Sequence, residues 1–193
     1  MLGIDNKPGM QALDRTQPAR PATSGHVAVS THDYVRKGTT DLFAAFNTRT
    51  GWVDAGCFDQ HRTVEFLEFM DEVAANYEGV PEVHAILDNA TIHSGEDVDD
   101  WLAEHPNFTF HYTPKGSSWL NQVENWFGIL QRKVLERGVF ASVDDLVRVV
   151  YRFVDHWNRN AEPFDWNATA DEIIAEVEQL HRDFKALLAN NSG

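Results

Sequence analysis

The chain has 193 residues, of which 42% are hydrophobic, and its formal net charge at pH 7 is −14. This length supports one sizeable hydrophobic core, and the sequence contains neither an apolar run long enough to span a membrane nor the charged-then-apolar start of a secretory signal. Because Cys57 is the single cysteine, an internal disulfide and a cysteine-based zinc cluster are excluded, and a reducing, cytoplasmic location is expected.

The negative charge is concentrated in one part of the chain. Residues 63–114 hold 12 acidic residues and no Lys or Arg, whereas the remaining residues hold 18 acidic and 16 basic ones. Phosphate binding depends on Lys and Arg, so the acidic stretch argues against a DNA contact within it. The stretch is typical of a solvated acidic face, and the more basic segments on either side leave a DNA-facing side open.

Apolar periodicity and turn-forming residues divide the chain into strands and helices. The stretch rich in Pro, Gly, Thr and Ser at 6–31 predicts a long functional loop or a weak hairpin. In chain order we predict an apolar start at 1–4, strands at 39–47 and 52–58 joined by a turn at 48–51, a helix at 63–77, a strand at 83–87, a helix at 96–105, a strand at 108–112, and helices at 119–137, 143–159 and 170–188.

This order of elements predicts an α/β fold with a mixed sheet flanked by helices, as in an RNase H-like domain, and additional helices at the carboxyl end. We assign residues 1–166 to this domain and residues 167–193 to a C-terminal helix that packs on it or extends it. Ser118 is a candidate N-cap for the helix at 119–137, which Gly138 ends.

Three carboxylates stand where strands end or a helix opens. Asp5 follows the apolar start, Asp88 follows the strand at 83–87, and Glu124 flanks the apolar stripe of the helix at 119–137. Phosphodiester cleavage at neutral pH needs an activated nucleophile and a neutralised leaving oxygen, which two magnesium ions held by shared carboxylates supply. Taken singly, the same residues also fit a turn aspartate or a rim glutamate, so placement alone leaves both interpretations open.

Five segments spread along the chain share the pattern of one known family: ALDRTQP at 12–18, HDYVRKGTTDLFAAF at 32–46, LDNATIH at 87–93, TPKGSSWLNQVENWF at 113–127 and FVDHWNRNAEPFDW at 153–166. They resemble the DDE domain of bacterial transposases in the mariner superfamily, specifically the insertion sequence 630 family. The 35 residues that separate Asp88 from Glu124 fit the same pattern.

By position, the resemblance implies that Asp5, Asp88 and Glu124 are the catalytic and metal-binding residues, with two Mg²⁺ or Mn²⁺ ions as cofactors. It implies metal-dependent nicking at transposon ends and strand transfer by a 3′ hydroxyl, without a covalent enzyme intermediate. The expected partners are transposon-end and target DNA and, by analogy, a second copy of the chain; no membrane is expected. The implied location is the bacterial cytoplasm, in association with the nucleoid when the protein is on DNA.

Further candidates come from the matching segments. Residues that could orient metal ligands, water or DNA, and that also fit capping or packing roles, are Asn89, His93, Ser118, Asn121 and Asn125. The candidates for DNA contacts are Arg15, Arg36, Lys37 and Lys115.

The sequence departs from the family around the first aspartate. Asn6, Lys7 and Pro8 follow Asp5 where family members commonly carry Glu and Ser, and Pro8 lacks a backbone donor. The sequence begins four residues before Asp5, so we expect a shortened first strand that holds Asp5 weakly. Without the family's preceding helix-turn-helix region, sequence-specific binding to transposon ends is expected to be weak or absent.

Three functions therefore stay open. The first is an active nuclease or strand transferase, the second a truncated or domesticated remnant without catalysis, and the third a non-enzymatic DNA-binding or interaction domain. Another RNase H-like nuclease, such as a ribonuclease H or a junction resolvase, is a more distant alternative, and the SWLNQVE motif argues against it.

Overall fold

A computed structural model describes residues 1–15, 34–114, 117 and 120–165, together with the single residues 175, 179 and 182. The strands in these ranges are β1 (Leu2–Arg15), β2 (Tyr34–Asn47), β3 (Val53–Phe58), β4 (Val83–Leu87) and β5 (Phe108–Tyr112). The helices are α1 (Thr63–Asn76), α2 (Glu96–Glu104), α3 (Val123–Leu130) and α4 (Val143–Asn158), with a short 3-10 turn at Thr91–His93 and a π-helical turn at Gln131–Leu135 after α3.

The five strands form one mixed sheet in the order β3-β2-β1-β4-β5. Strand β2 pairs antiparallel with β1 and with β3, whereas β4 pairs parallel with β1 and with β5. This arrangement confirms the predicted α/β fold with a mixed sheet. None of the helices in the described part of the chain has the length and apolar character needed to cross a membrane.

Strand β1 continues well beyond Asp5, so the prediction of a loop from residue 6 is wrong for residues 6–15. The strand pairs with β2 as far as Arg15, and Met10 and Ala12 are buried. Pro8 is accommodated because the register shifts between Lys7 and Met10, where Gly9 adopts a φ of 62°. The described part of this segment thus follows the hairpin alternative, and residues 16–33 lie outside the described residues.

Helix α3 begins later than the sequence pattern predicts. The apolar stripe predicts a start at residue 119, whereas the first helical residue is Val123, preceded by Gln122 at the cap position. The proposed N-cap Ser118 lies outside the described residues. The predicted helix at 170–188 also lies outside them, apart from the helical residues 175, 179 and 182.

Helices cover both faces of the sheet, because side chains alternate along each strand. On one face, the sheet residues Ile4, Phe43 and Leu87 share a core with Phe66 and Phe69 of α1 and Trp101 of α2. On the other face, the sheet residues Leu42, Ala44 and Phe46 share a core with Trp126 and Leu130 of α3 and Val150 of α4. Strand β1 lies at the centre of the sheet and contributes residues to both cores.

Gly3 allows α3 to approach the centre of β1 closely. A Cβ atom at Gly3 would overlap Oδ1 of Asn121 and lie 3.4 Å from the backbone nitrogen of Val123. The buried Asn121 side chain donates from Nδ2 to the carbonyl oxygen of Ile4 at 2.8 Å. The residues that lead into α3 are therefore fixed next to Asp5.

We predict that Gly3→Ala destabilises the fold, because the added methyl group pushes Asn121 away from the Ile4 carbonyl. Overpacking of this kind costs about 1–3 kcal/mol, which urea denaturation would measure. The matched control is Gly128→Ala within α3, where the nearest atom to a new Cβ is the flexible Arg132 guanidinium at 3.4 Å. The control should be as stable as the wild type or more so; equal stability of Gly3→Ala would contradict the close-approach account.

Candidate active site

Strands β1 and β4 place Asp5 beside Asp88. The two strands are parallel neighbours in which Gly3 lies opposite Ile86. Asp5 follows Gly3 by two residues, as Asp88 follows Ile86, and Asp88 comes directly after the last residue of β4. The two carboxylates are close enough for the charge of Asp88 to raise the pKa of Asp5.

Asp5 faces the side of the sheet that α3 covers. Its partner across the β1–β2 ladder is Ala44, a member of the core beneath α3 and α4. Glu124 lies in the first turn of α3, exposed next to the buried Val123. The predicted position of Glu124, at the margin of the buried face, is therefore confirmed, and α3 brings it to the side on which Asp5 lies.

The three carboxylates interact through their charges. Asp5 is only 5% exposed, and its pKa is raised to about 7, chiefly by burial and further by the negative charges of Asp88 and Glu124, against a hydrogen bond from the Asn6 backbone N–H at 2.8 Å. Although the residue is exposed, partial desolvation of its carboxyl group raises the pKa of Glu124; the ammonium group of Lys7 opposes this rise and the charge of Asp88 adds to it. The cluster thus resists carrying its full negative charge without a cation.

The Asp88 carboxylate has one oxygen engaged and one available. Its Oδ1 lies 2.9 Å from Nδ1 of His93 and accepts a hydrogen bond from the Ala90 backbone N–H at 3.0 Å. No described residue donates a hydrogen bond to Oδ2, and the side chain is 39% exposed. Oδ2 is therefore the Asp88 oxygen that is open to a ligand.

The donor set suits a hard divalent cation, although the side chains do not converge on one point. Among the described residues, no group of three or more His, Cys, Asp or Glu side chains is placed to hold a metal ion. The negative charges of Asp88 and Glu124 raise the pKa of Asp5, and the Asp88 carboxylate is turned towards His93. Carboxylate oxygens are nevertheless the ligands that Mg²⁺ and Mn²⁺ prefer, and a cation would offset the repulsion around Asp5.

The asparagine candidates mostly bond to the backbone. The Asn89 side chain donates to the Thr113 carbonyl and so ties the end of β4 to the residue after β5. Asn121 is buried and holds the Ile4 carbonyl. Asn125 is exposed beside Glu124. Asn89 and Asn121 thus support the backbone that carries the carboxylates.

Three of the four basic candidates lie on strands β1 and β2. Arg36 and Lys37 are exposed on β2, and the Lys37 ammonium lies 3.6 Å from Asp14. Arg15 ends β1, but its side chain and the whole of Lys115 lie outside the described residues. Sequence reasoning did not assign a role to Lys7, which shares the α3-facing side of β1 with Asp5; alternation along a longer β1 would have identified it.

Comparison with known proteins identifies the family. A family model described as DDE superfamily endonuclease matches residues 8–147, a range that includes Asp88 and Glu124 and begins after Asp5. The chain belongs to this family. It is also 26% identical over 114 residues to the insertion element IS630 uncharacterized 39 kDa protein of Shigella sonnei, which covers 59% of this chain. The chain spans about a third (33%) of the length of that curated relative.

Solved structures of the Mos1 transposase share the fold of this DDE-family chain. The Mos1 paired-end complex with the left transposon end matches with a TM-score of 0.59 and 19% identity, over 83% of this chain and 48% of that chain. The catalytic domain of Mos1 mariner transposase matches with a TM-score of 0.53 and 16% identity, over 66% of this chain and 65% of that chain. These matches confirm the predicted RNase H-like fold, and the comparisons together confirm the resemblance to mariner and insertion sequence 630 transposases.

We predict that Asp5 makes the stability of the metal-free protein depend on pH. Its pKa is about 7 in the folded chain and near 3.8 when unfolded, so the folded state binds the proton more tightly and loses stability as the pH rises from about 4 to about 7. Asp5→Asn removes this loss, and its advantage over the wild type should grow by on the order of 3 kcal/mol over that range.

Urea denaturation in EDTA at a series of pH values would measure the effect. Replacing the exposed Asp97 with Asn controls for the loss of one negative charge elsewhere. Parallel pH profiles for the wild type and Asp5→Asn would contradict the assignment.

Proposed function

We propose that this chain is the catalytic domain of a DNA transposase, which cleaves a DNA strand and joins the resulting 3′ hydroxyl end to target DNA. The catalytic residues are Asp5, Asp88 and Glu124. The observation that carries the proposal is that two neighbouring strands and one helix bring these carboxylates within range of each other's charge in a DDE-family chain. We include residues 1–166 in this domain.

A different part of the structure positions each of the three carboxylates. Asp5 lies on the central strand, where its pairing with Ala44 of β2 and its burial limit its movement. Asp88 offers Oδ2 while Oδ1 is held, and Glu124 stands on the first turn of a helix docked against Gly3. When bound, Mg²⁺ or Mn²⁺, two ions by analogy, would supply the activation of the attacking water or hydroxyl and the neutralisation of the leaving oxygen.

The relatives support the metal and the substrate class. The Mos1 mariner paired-end complex with Mn has the same fold, with a TM-score of 0.55 and 18% identity. Another Mos1 structure is a pre-cleavage transpososome. By analogy we propose that this chain binds Mn²⁺ or Mg²⁺, acts on transposon-end DNA, and works as a pair of copies that bridges two ends.

The charge distribution favours DNA approach from the side of α3 and the β1–β2 hairpin. Helices α1 and α2 belong to the segment with 12 acidic residues and no Lys or Arg, so their surface repels phosphates. Arg36 and Lys37 are exposed on β2, and Lys7 lies near Glu124. DNA that reaches the carboxylates from this side meets cations first.

One observation favours a second candidate, a remnant that binds DNA without cleaving it. The described carboxylates do not converge into a ready metal site. If a cation cannot bring the three carboxylates together, the chain can bind DNA through its basic surface but cannot cleave it. The two candidates differ in what the carboxylates do, and neutralising them distinguishes the candidates.

We predict that the purified chain nicks supercoiled DNA in Mn²⁺ or Mg²⁺ and that Asp88→Asn lowers the rate at least about 100-fold, since it removes one ligand of the activating cations. Gel analysis of nicked plasmid against time would measure the rate. Glu78→Gln, exposed in the turn between α1 and the start of β4, lies at the opposite end of that strand from Asp88; it is the matched control and should leave the rate unchanged. A wild-type rate no higher than that of Asp88→Asn would refute catalysis.

The remnant predicts a different result in the same preparation. Without catalysis, the triple variant Asp5→Asn, Asp88→Asn, Glu124→Gln should bind DNA more tightly than the wild type, because three negative charges that repel phosphate are gone. Fluorescence anisotropy at several salt concentrations would measure this affinity. Tighter binding by the triple variant together with a wild type that never nicks DNA would favour the remnant.

A further inference from the structure

His93 is held in one orientation by contacts on several sides. The residue is fully buried in the 3-10 turn Thr91–His93, and its Nδ1 lies 2.9 Å from Oδ1 of Asp88. Its ring packs against Phe66, with 4.6 Å between the ring centroids. Its carbonyl oxygen accepts a hydrogen bond from the Tyr112 hydroxyl at 2.7 Å, which anchors the turn to β5. The imidazole therefore has little freedom to leave Asp88.

The contact with Asp88 determines the tautomer of His93. An ionised carboxylate only accepts hydrogen bonds, so Nδ1 carries the proton in this pair. The other ring nitrogen, Nε2, is buried without a hydrogen-bond partner among the described residues.

The unpartnered nitrogen argues against a purely stabilising role. A buried polar atom without a partner costs about 1–3 kcal/mol, and an apolar side chain of similar size at position 93 would avoid that cost. The hydrogen bond from His93 to Asp88 offsets the cost of the unpartnered Nε2. The Asp88 side chain is 39% exposed, and its charge is repelled by that of Asp5. A donor fixed by burial gives this partly exposed carboxylate one preferred orientation.

We propose that His93 is a positioning residue for metal binding: its Nδ1–H, with the Ala90 backbone N–H, occupies Oδ1 of Asp88 and so leaves Oδ2 directed to the cation. The inference rests on the proposed function, because it assumes that Asp88 is a metal ligand. It assigns His93 no contact with the metal or with DNA. Hydrogen bonds of this kind, behind a metal ligand, typically change metal affinity by about 10- to 100-fold.

Two substitutions separate positioning from packing. His93→Leu fills the space of the ring without a donor, and we expect Mn²⁺ affinity to fall about 10- to 100-fold while stability is unchanged or higher, because the unpartnered nitrogen is gone. His93→Asn places an amide N–H near the former position of Nδ1, and it should retain Mn²⁺ affinity within about threefold. Electron paramagnetic resonance of free Mn²⁺ would measure affinity, and urea denaturation in EDTA would measure stability.

The matched control is His105→Leu. The half-buried His105 also uses Nδ1 in a hydrogen bond, to the Trp101 carbonyl at 2.8 Å, but it lies at the end of α2 and has no contact with the carboxylates. This variant should lose stability and keep its Mn²⁺ affinity. If His93→Leu instead behaves like His105→Leu, or if His93→Asn binds Mn²⁺ as weakly as His93→Leu, positioning by His93 is overturned.

Asp88→Asn separates a failure of this inference from a failure of the proposed function. If the wild type and Asp88→Asn bind Mn²⁺ equally, Asp88 is not a metal ligand and both proposals fall. If Asp88→Asn loses affinity but His93→Leu does not, only the inference about His93 falls. Nuclear magnetic resonance of ¹⁵N-labelled histidine adds an independent measurement: a ring protonated on Nδ1 is expected, and a ring protonated on Nε2 alone would overturn the inference.

Discussion

The contact between the residues leading into α3 and the centre of β1 determines the geometry of the candidate site. Gly3 has no side chain, so Asn121 can reach the Ile4 carbonyl, and Glu124 follows one turn later. The same strand pairs in parallel with β4, whose end carries Asp88. The close approach of α3 to β1 and the pairing of β1 with β4 together set the relative positions of the three carboxylates.

This arrangement is electrostatically unfavourable in the absence of a cation. The core and the sheet hold Asp5 in place. Its pKa of about 7 reflects the unfavourable free energy of a buried negative charge near those of Asp88 and Glu124. Among the described residues, the three carboxylates are not placed to hold one metal ion together, and the Asp88 carboxylate contacts the His93 ring. A divalent cation bound between the carboxylates would offset this repulsion.

The sequence predicts the fold class and the later two carboxylates because their signals are local. Asp88 directly follows an apolar strand, and Glu124 flanks an apolar stripe, so periodicity alone places both. The extension of β1 was missed because Pro8 and Gly9 are turn formers in isolation, and only pairing with β2 shows that a bulge absorbs them. The late start of α3 and the packing of His93 against Phe66 depend on tertiary contacts that periodicity does not encode.

The central claim is that Asp5, Asp88 and Glu124 form one cation site. Crystals grown with Mn²⁺ test it most directly, because anomalous diffraction at the manganese absorption edge locates the ion without assumptions about activity. We predict an anomalous peak within coordination distance of Asp5 and of Oδ2 of Asp88, with Glu124 turned towards it. Manganese peaks elsewhere on the chain, with no peak between these carboxylates, would contradict it.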